Sequence, residues 1–151
     1  MQTIHATARS GAPPQTVWAL LADVETWPQW ATFDAAELEQ PGSPDPHGLD
    51  AIRRFRRGRH TTRERVTAFE PARRLGYVLL SGIPIRDYRA DVTLEPENGR
   101  DAITWRSSVR GKFPIPAGLV QHRLRAFVAD TAERLARAAE VAEARGRASL
   151  V

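Results

Sequence analysis

The sequence predicts an α+β fold in which a curved antiparallel sheet of about six to seven strands surrounds one long C-terminal helix. Three observations lead to this prediction. The chain begins with an alternation of apolar and polar residues, continues through several short segments of the same kind separated by turn residues, and ends with apolar residues at helical spacing. Its 151 residues are enough for one domain with a buried core.

The N-terminal segment combines one strand with two short helices. Residues 3–10 alternate with the period of two that is typical of a strand with one buried face, and Gly11 ends the alternation. Proline suits the first turn of a helix, so we expect a helix near Pro14 that carries the apolar residues of 17–24. A short capped turn should follow around Pro28, with Trp27 as a structural residue and Trp30 as a possible ligand contact.

Six further strands are predicted between this region and the final helix. They cover residues 32–39, 51–57, 61–69, 74–80, 85–94 and 102–110. Glycine and proline separate most of them, and the pair Asn98-Gly99 favours a tight hairpin because both residues tolerate a positive φ angle. Since these connections are too short to contain a helix, neighbouring strands should be antiparallel.

The last element is a long amphipathic helix over residues 117–144. Its apolar side chains fall on one stripe, formed by Val120, Leu124, Phe127, Val128, Leu135 and Ala138. Gly146 is expected to end the helix, so we assign residues 1–145 to a single domain and residues 146–151 to a C-terminal tail. The sheet must bury one face, and this helix is the large apolar surface available to it. A sheet that curls around the helix leaves a cavity.

Composition excludes several kinds of chemistry. The chain has no cysteine, which rules out disulfides, thiolate catalysis and iron–sulfur clusters. Its four histidines lack metal-ligand spacing, and no nucleophile motif or phosphate-binding loop occurs, so we predict no metal and no cofactor. The first residues do not resemble a signal peptide, and no apolar run is long enough to span a membrane. We therefore expect a soluble, cytoplasmic protein.

Two predicted strands place polar and aromatic side chains on the face that points to the helix. Tyr88 lies on this face in residues 85–94, and Trp105 and Ser107 lie on it in residues 102–110. Each carries a polar group that needs a partner in an apolar interior, which is typical of small-molecule sites; ordinary core packing is the alternative. Further candidates for the cavity wall are Trp30, Phe33, Phe55, Tyr77, Phe113 and Leu119.

Seven arginines and one glutamate lie between residues 53 and 65 and allow three interpretations. Successive side chains of a strand point to opposite faces, so these arginines cannot all line one surface. The first interpretation is a solvated edge. In the second, Arg53 faces the cavity beside Phe55 and pairs with an acidic ligand. In the third, Glu64 is its partner inside the protein.

Several segments of the chain resemble one known superfamily. Residues 12–30, from Ala12 to Trp30, are similar to the opening of START/Bet v 1-like (SRPBCC) proteins. Residues 64–71 fit the same pattern, as does Leu94-Glu95-Pro96 followed by Ile103-Thr104-Trp105. The branch that these segments resemble is labelled polyketide cyclase/dehydrase and lipid transport. The resemblance implies a helix-grip fold with a deep, mostly apolar cavity between the sheet and the C-terminal helix. Its members bind lipids, sterols, polyketides or plant hormones, and a minority are enzymes.

Three functions follow as hypotheses. The first is binding of a hydrophobic small molecule, such as a lipid or a polyketide, by a monomer or a homodimer. The second is an aromatase/cyclase-type enzyme that uses Tyr88 or Arg53, although no catalytic constellation is evident. The third is binding of nucleic acid or an acidic partner through residues 53–65, since the net charge is +4 and arises almost entirely from arginine. The third ranks last because few aromatic residues are left to stack on bases.

Overall fold

The computed structural model describes residues 2–110 and 117–149. The strands are β1 (Gln2–Ser10), β2 (Ala35–Gln40), β3 (Ile52–Arg57), β4 (His60–Glu70), β5 (Arg74–Ser81), β6 (Arg86–Glu97) and β7 (Arg100–Arg110). The helices are α1 (Pro14–Ala22), α2 (Trp27–Trp30) and α3 (Ala117–Ala148), and a single 3₁₀ turn (Val24–Thr26) joins α1 to α2.

All seven strands form one antiparallel sheet in the order β1-β7-β6-β5-β4-β3-β2. Strands β2 to β7 pair in chain order; the connection from β2 to β3 spans residues 41–51, and the others are short turns. Strand β1 joins the other end of this meander and pairs with β7 along its whole length, from Gln2 opposite Val109 to Ser10 opposite Asp101. The predicted curved antiparallel sheet with a long C-terminal helix is confirmed.

Helix α3 packs most closely where its residues are small. Ala132, Ala136 and Ala139 are fully buried together with Val128 and Leu135. The Ser10 hydroxyl donates a hydrogen bond of 2.8 Å to the carbonyl oxygen of Ala136, which ties the end of β1 to the helix backbone. Earlier in α3 the inward-facing residues are large and only half buried. Sheet and helix therefore lie close together at β1 and diverge toward β3–β5.

The short helical region fills the space beside this contact. Trp27 is 3% exposed, and its indole Nε1 donates a hydrogen bond of 3.0 Å to the carbonyl oxygen of Leu21. Its ring lies 4.6 Å from the Trp30 ring and 5.1 Å from the Phe55 ring, centroid to centroid. Trp27 thus connects α2 to the sheet, which agrees with its interpretation as a structural residue.

Element ends differ from the predicted ones in a few places. Helix α3 continues to Ala148, so the prediction that Gly146 ends the helix is wrong, and Gly146 lies inside it. One glycine costs a helix only about 1 kcal/mol, and the ion pair between Glu143 and Arg147 spans this position. Strand β2 begins at Ala35, later than predicted, because the segment before it forms a bend.

Glycine is required in the loop between β5 and β6. Gly82 has a φ angle of +115°, which side chains rarely adopt. A Cβ atom at this position would also overlap the carbonyl oxygen of Thr61. The loop can therefore lie directly against β4, at the edge of the cavity described below.

Asp101 at the start of β7 is predicted to destabilise the protein at neutral pH. Its residue surface is fully buried, and neither carboxylate oxygen has a hydrogen-bond partner among the described residues. Burial raises its pKa from 3.8 to about 6. The folded state therefore holds the proton more tightly than the unfolded state, and stability falls as the pH rises from about 4 to about 6. Asp101→Asn should raise the free energy of unfolding at neutral pH by about 1–3 kcal/mol.

Urea unfolding at about pH 4 and about pH 7.5 checks this prediction. Asp101→Asn should gain stability over the wild type at the higher pH and much less at the lower one. Glu95→Gln, which removes an exposed carboxylate from the neighbouring strand, is the control and should change stability little at either pH. A loss of stability in Asp101→Asn at the higher pH would contradict the prediction.

Candidate functional site

A cavity of about 510 Å³ lies between the middle of the sheet and the first part of α3. Strands β3, β4, β5 and β6 form its floor, and Phe33, before β2, closes one side. The β5–β6 loop contributes Gly82, Ile83, Pro84 and Ile85 at its edge. The remaining lining residues are Phe55, Arg57, His60, Thr62, Glu64, Tyr77, Leu79, Tyr88, Arg123, Leu124 and Phe127.

Aromatic rings form most of the inner wall. The Phe33 ring lies 4.9 Å from the Phe55 ring and 6.0 Å from the Phe127 ring, so one side chain from a loop, one from β3 and one from α3 meet. The contact with Phe127 is edge to face, a favourable arrangement for aromatic pairs. Large rings in this position hold α3 away from the sheet and keep the space between them open.

One carboxylate, that of Glu64, faces the cavity, and a buried arginine holds it. The Arg53 side chain is 0% exposed, and its Nη2 donates a hydrogen bond of 2.8 Å to Glu64 Oε1. Its Nε and Nη1 have no hydrogen-bond partner among the described residues. The Arg53 guanidinium carbon instead lies 5.1 Å from the centroids of the Trp27 and Tyr77 rings and 5.3 Å from that of Phe55. Cation–π attraction to three rings thus replaces part of the lost hydration.

The surroundings of Glu64 push its pKa in opposite directions. Burial raises the pKa of its carboxyl and is the larger effect, while the charge and hydrogen bond of Arg53 lower it, so the pKa lies above its ordinary value. Burial also raises the pKa of the Tyr88 phenol to about 12 and that of the Tyr77 phenol well above its ordinary value. Both phenols therefore remain protonated at neutral pH and can donate hydrogen bonds.

Residues behind the wall fix the orientation of the two tyrosines. The indole Nε1 of Trp105 donates a hydrogen bond of 3.1 Å to the Tyr77 hydroxyl oxygen. The Tyr88 and Ser107 hydroxyl oxygens lie 3.0 Å apart and share a hydrogen bond. The Tyr77 oxygen accepts from Trp105, and the Tyr77 and Tyr88 hydroxyls lie close enough to interact. The interior thus presents a few oriented polar groups in an aromatic surface.

The predicted cavity residues separate into groups. Phe33, Phe55, Tyr77 and Tyr88 line the cavity. Arg53, Trp105 and Ser107 lie behind its wall and bind Glu64, Tyr77 and Tyr88 respectively. Phe113 lies outside the described residues.

Two predicted wall residues lie elsewhere. Trp30 faces a separate groove between α1–α2 and α3, because the α2 turn directs it away from β4 and β5. Leu119 is 42% exposed and does not line the cavity. It precedes Leu124 by five residues, so the two side chains diverge by about 140° around α3.

The groove that contains Trp30 has a different character from the cavity. Its volume is about 700 Å³, and charged side chains of α3 form much of its surface, among them Asp130, Glu133, Arg134, Arg137 and Arg145. Arg134 donates to Asp130 over 2.7 Å, so part of this charge is already paired along the helix. A polar groove of this kind is a weaker candidate for a hydrophobic ligand than the cavity.

Several lining residues were not predicted. Leu124 and Phe127 belong to the apolar stripe of α3, so their inward position was visible, but which part of the stripe leaves the sheet was not. Thr62 and Glu64 lie four and two residues before buried Val66, so all three share one face of β4, and this spacing also indicates an inward position. The β5–β6 loop carried no signal, because only tertiary packing brings it to the cavity edge.

The arginines of residues 53–65 do not form a continuous basic surface. Arg54 pairs with Glu37, Arg56 lies 3.7 Å from Asp34, and Arg63 lies 2.6 Å from Glu39. Strand β2 and the loop before it therefore neutralise much of the outer face of β3 and β4. The interpretation of Arg53 as part of a solvated edge is wrong, because it is buried; the alternative in which Glu64 is its partner agrees with the structure.

Two further features bear on function. Within residues 2–110 and 117–149, no three histidine, aspartate or glutamate side chains form a group that could hold a metal ion. None of the helices in the described part of the chain is long and apolar enough to cross a membrane.

Comparison with known protein families places the chain in one of them. Residues 1–140 match the family described as polyketide cyclase / dehydrase and lipid transport. The chain belongs to this family. The resemblance that the sequence segments suggested is thereby confirmed. No curated protein matches the chain, so assignment to this polyketide cyclase/dehydrase and lipid transport family comes from the family match itself.

Solved structures share the fold at low sequence identity. A START superfamily protein from Mycobacterium smegmatis aligns with a TM-score of 0.79 and 14% identity over 91% of this chain and 97% of that one. Ara h 8.0201 aligns with a TM-score of 0.70 and 14% identity over 91% and 97%. The Aha1 dimer from Colwellia psychrerythraea gives a TM-score of 0.68 and 14% identity over 90% and 97%. At these identities the likeness concerns the fold alone.

Removal of Arg53 should be far more damaging than removal of its neighbour Arg54. Arg53→Met leaves the Glu64 carboxylate in an apolar wall without its cation, and we expect a loss of about 3 kcal/mol in the free energy of unfolding. Arg54→Met breaks an exposed pair and should cost less than about 1 kcal/mol. Denaturant unfolding of the two variants measures the difference.

The double variant Arg53→Met/Glu64→Gln separates the ion pair from simple packing. Neutralising Glu64 removes the unpaired charge, so the double variant should be more stable than Arg53→Met alone. Strictly additive losses from the two single variants would show that the pair is not coupled and would contradict this account.

Proposed function

We propose that this protein binds a hydrophobic small molecule, such as a lipid or a polyketide, in the cavity between the sheet and α3. The observation that carries the proposal is the cavity itself: about 510 Å³ of space, an aromatic wall and few polar groups. This volume falls in the range of roughly 300–1,000 Å³ that is usual for small-molecule sites. Membership of the polyketide cyclase/dehydrase and lipid transport family supports the proposal, since proteins of the START and Bet v 1-like fold typically bind hydrophobic ligands.

Burial of apolar surface would supply most of the binding free energy. Each square ångström of ligand surface removed from water contributes about 25 cal/mol, before the cost of restricting the ligand is subtracted. The Phe33 ring already contacts the rings of Phe55 and Phe127, so little of this surface has to be ordered on binding. A preformed wall of this kind favours binding.

The polar groups of the wall limit which end of a ligand can lie beside them. Tyr88 is already satisfied by Ser107, so an apolar group can pack against it without leaving a buried hydroxyl unpaired. Glu64 uses one oxygen for Arg53, so its other oxygen can accept a hydrogen bond. A ligand hydroxyl group near Glu64 would gain this hydrogen bond.

The other two hypotheses are supported less well. Binding of nucleic acid through residues 53–65 requires available cations, and most outward-facing arginines on that part of the sheet are paired with carboxylates. A cyclase would need acid–base groups in the cavity, and Glu64, Tyr77 and Tyr88 are the ones at hand. Tyr88→Phe remains a usable test of that activity. Arg53→Ala is not a usable test of that activity, because its effect on stability would mask any effect on turnover.

Two adjacent leucines of β5 provide a matched test of the binding site. Leu79 lines the cavity, whereas Leu80 is 36% exposed on the other face of the same strand. Leu79→Trp should fill part of the cavity and weaken binding of the uncharged fluorescent probe N-phenyl-1-naphthylamine at least tenfold. Leu80→Trp adds the same group outside and should leave the affinity unchanged. Fluorescence titration gives both affinities, and thermal unfolding checks that each variant is folded.

Equal loss of affinity in both variants, or in neither, would contradict this location of the site. Native mass spectrometry of the protein purified from its own host, with thermal shift assays on a panel of lipids and polyketides, tests the proposal more broadly. Failure of every compound and of the fluorescent probe to bind would refute the binding function.

A further inference from the structure

The mouth of the cavity is basic on two opposing sides. Arg57 at the end of β3 and His60 at the start of β4 line it from the sheet, and Arg123 lines it from α3. The side chains come from elements far apart in the sequence, so only the folded chain brings them to one opening. Between them the cavity leads inward to the aromatic wall around Phe55.

These basic side chains have no acidic partner in an ion pair among the described residues. Among the described residues, neither Arg57 nor Arg123 nor His60 takes part in an ion pair, whereas Arg54, Arg56 and Arg63 do. Glu64 is the one acidic residue among the described residues that line the cavity, and it already forms an ion pair with Arg53. The mouth therefore has uncompensated positive charge, while the interior is neutral as a whole.

The apolar part of the edge lies on the β5–β6 loop. Ile83 is 42% exposed there, and Pro84 and Ile85 continue the same apolar edge toward the interior. A molecule that enters between this loop and α3 would thus touch apolar residues along its length and cations at its outer end. Arginine is well suited to such an end group, since its planar guanidinium can donate two parallel hydrogen bonds to a carboxylate.

We propose that the ligand is an anionic amphiphile, with its acidic group at the mouth between Arg57, His60 and Arg123 and its apolar part directed toward Phe33, Phe55 and Phe127. This inference rests on the proposed binding function and adds the chemical class of the ligand. The acidic group is a carboxylate on an aliphatic or aromatic body. It stays at the edge of the cavity, where water covers its outer side and desolvation costs little.

The test compares ligands that share a chain and differ in the end group. Tetradecanoate, tetradecanol and tetradecyltrimethylammonium each compete with N-phenyl-1-naphthylamine, at concentrations below micelle formation. We expect the carboxylate to bind at least tenfold more tightly than the alcohol and the ammonium compound to bind most weakly. Added salt should weaken binding of the carboxylate and leave that of the alcohol nearly unchanged.

A matched pair of double variants separates the local site from the overall charge of the protein. Arg57→Gln/Arg123→Gln removes the two arginines of the mouth and should abolish the preference for the carboxylate. Arg59→Gln/Arg125→Gln removes two exposed arginines from the same hairpin and the same helix, neither of which lines the cavity, and should keep the preference. Thermal unfolding confirms that both are folded. If the first variant does not fold, Arg123→Gln alone takes its place.

Each outcome bears on a different statement. Equal affinity for the carboxylate and the alcohol would overturn the ligand class and leave the binding function standing. The same loss in both double variants would assign the effect to net charge and overturn the site at the mouth. If no tetradecyl compound displaces the probe from the cavity, the ligand class fails as stated. If the probe itself does not bind, the proposed function fails with it.

Discussion

The close contact between α3 and β1 determines where the cavity lies. Alanine at positions 132, 136 and 139 lets the helix backbone approach the sheet, and the hydrogen bond from Ser10 to the Ala136 carbonyl fixes this approach. A straight helix held at one end cannot follow a curved sheet along its whole length. The rings of Phe33, Phe55 and Phe127 occupy the point where the two separate, and beyond them the space stays open.

The buried Arg53 explains how a carboxylate can face this apolar space. An arginine with no exposed surface is costly unless its charge is compensated. Here the compensation comes from Glu64 on one side and from the faces of Trp27, Tyr77 and Phe55 on the others. The same contacts join β3, β4 and β5 to α2. The polar group of the cavity wall is thus part of the structural core, which separates it from the exposed charges at the mouth.

The order and type of the elements could be predicted from the sequence, because each depends on a local pattern. The alternation in β6 and β7 correctly placed Tyr88, Trp105 and Ser107 on the inner face. What this pattern could not distinguish is a residue that lines a cavity from one that lies behind its wall, since both are inward. Tyr88 reaches the cavity, whereas Trp105 and Ser107 orient the tyrosines from behind.

The positions of Arg53 and Trp30 could not be predicted from local sequence patterns, for two different reasons. Strand parity put Arg53 on the face of Phe55 but gave no reason for an arginine to be buried, since that also depends on the rings of Trp27 and Tyr77 from two other segments of the chain. Trp30 is buried, but the α2 turn directs it to the outer groove.

The distribution of ion pairs matters more for function here than the net charge. The chain has 22 lysine and arginine residues against 18 acidic ones. This excess alone does not distinguish one kind of acidic partner from another. On β3 and β4, however, the acidic residues before and within β2 pair with outward-facing arginines, and Glu64 pairs with the buried one. Arg57 lies past these partners, at the end of β3, and lines the same cavity mouth as Arg123 of α3. Positive charge that remains uncompensated at this opening favours a small acidic molecule that can enter the cavity over a long polyanion that would need a continuous basic surface.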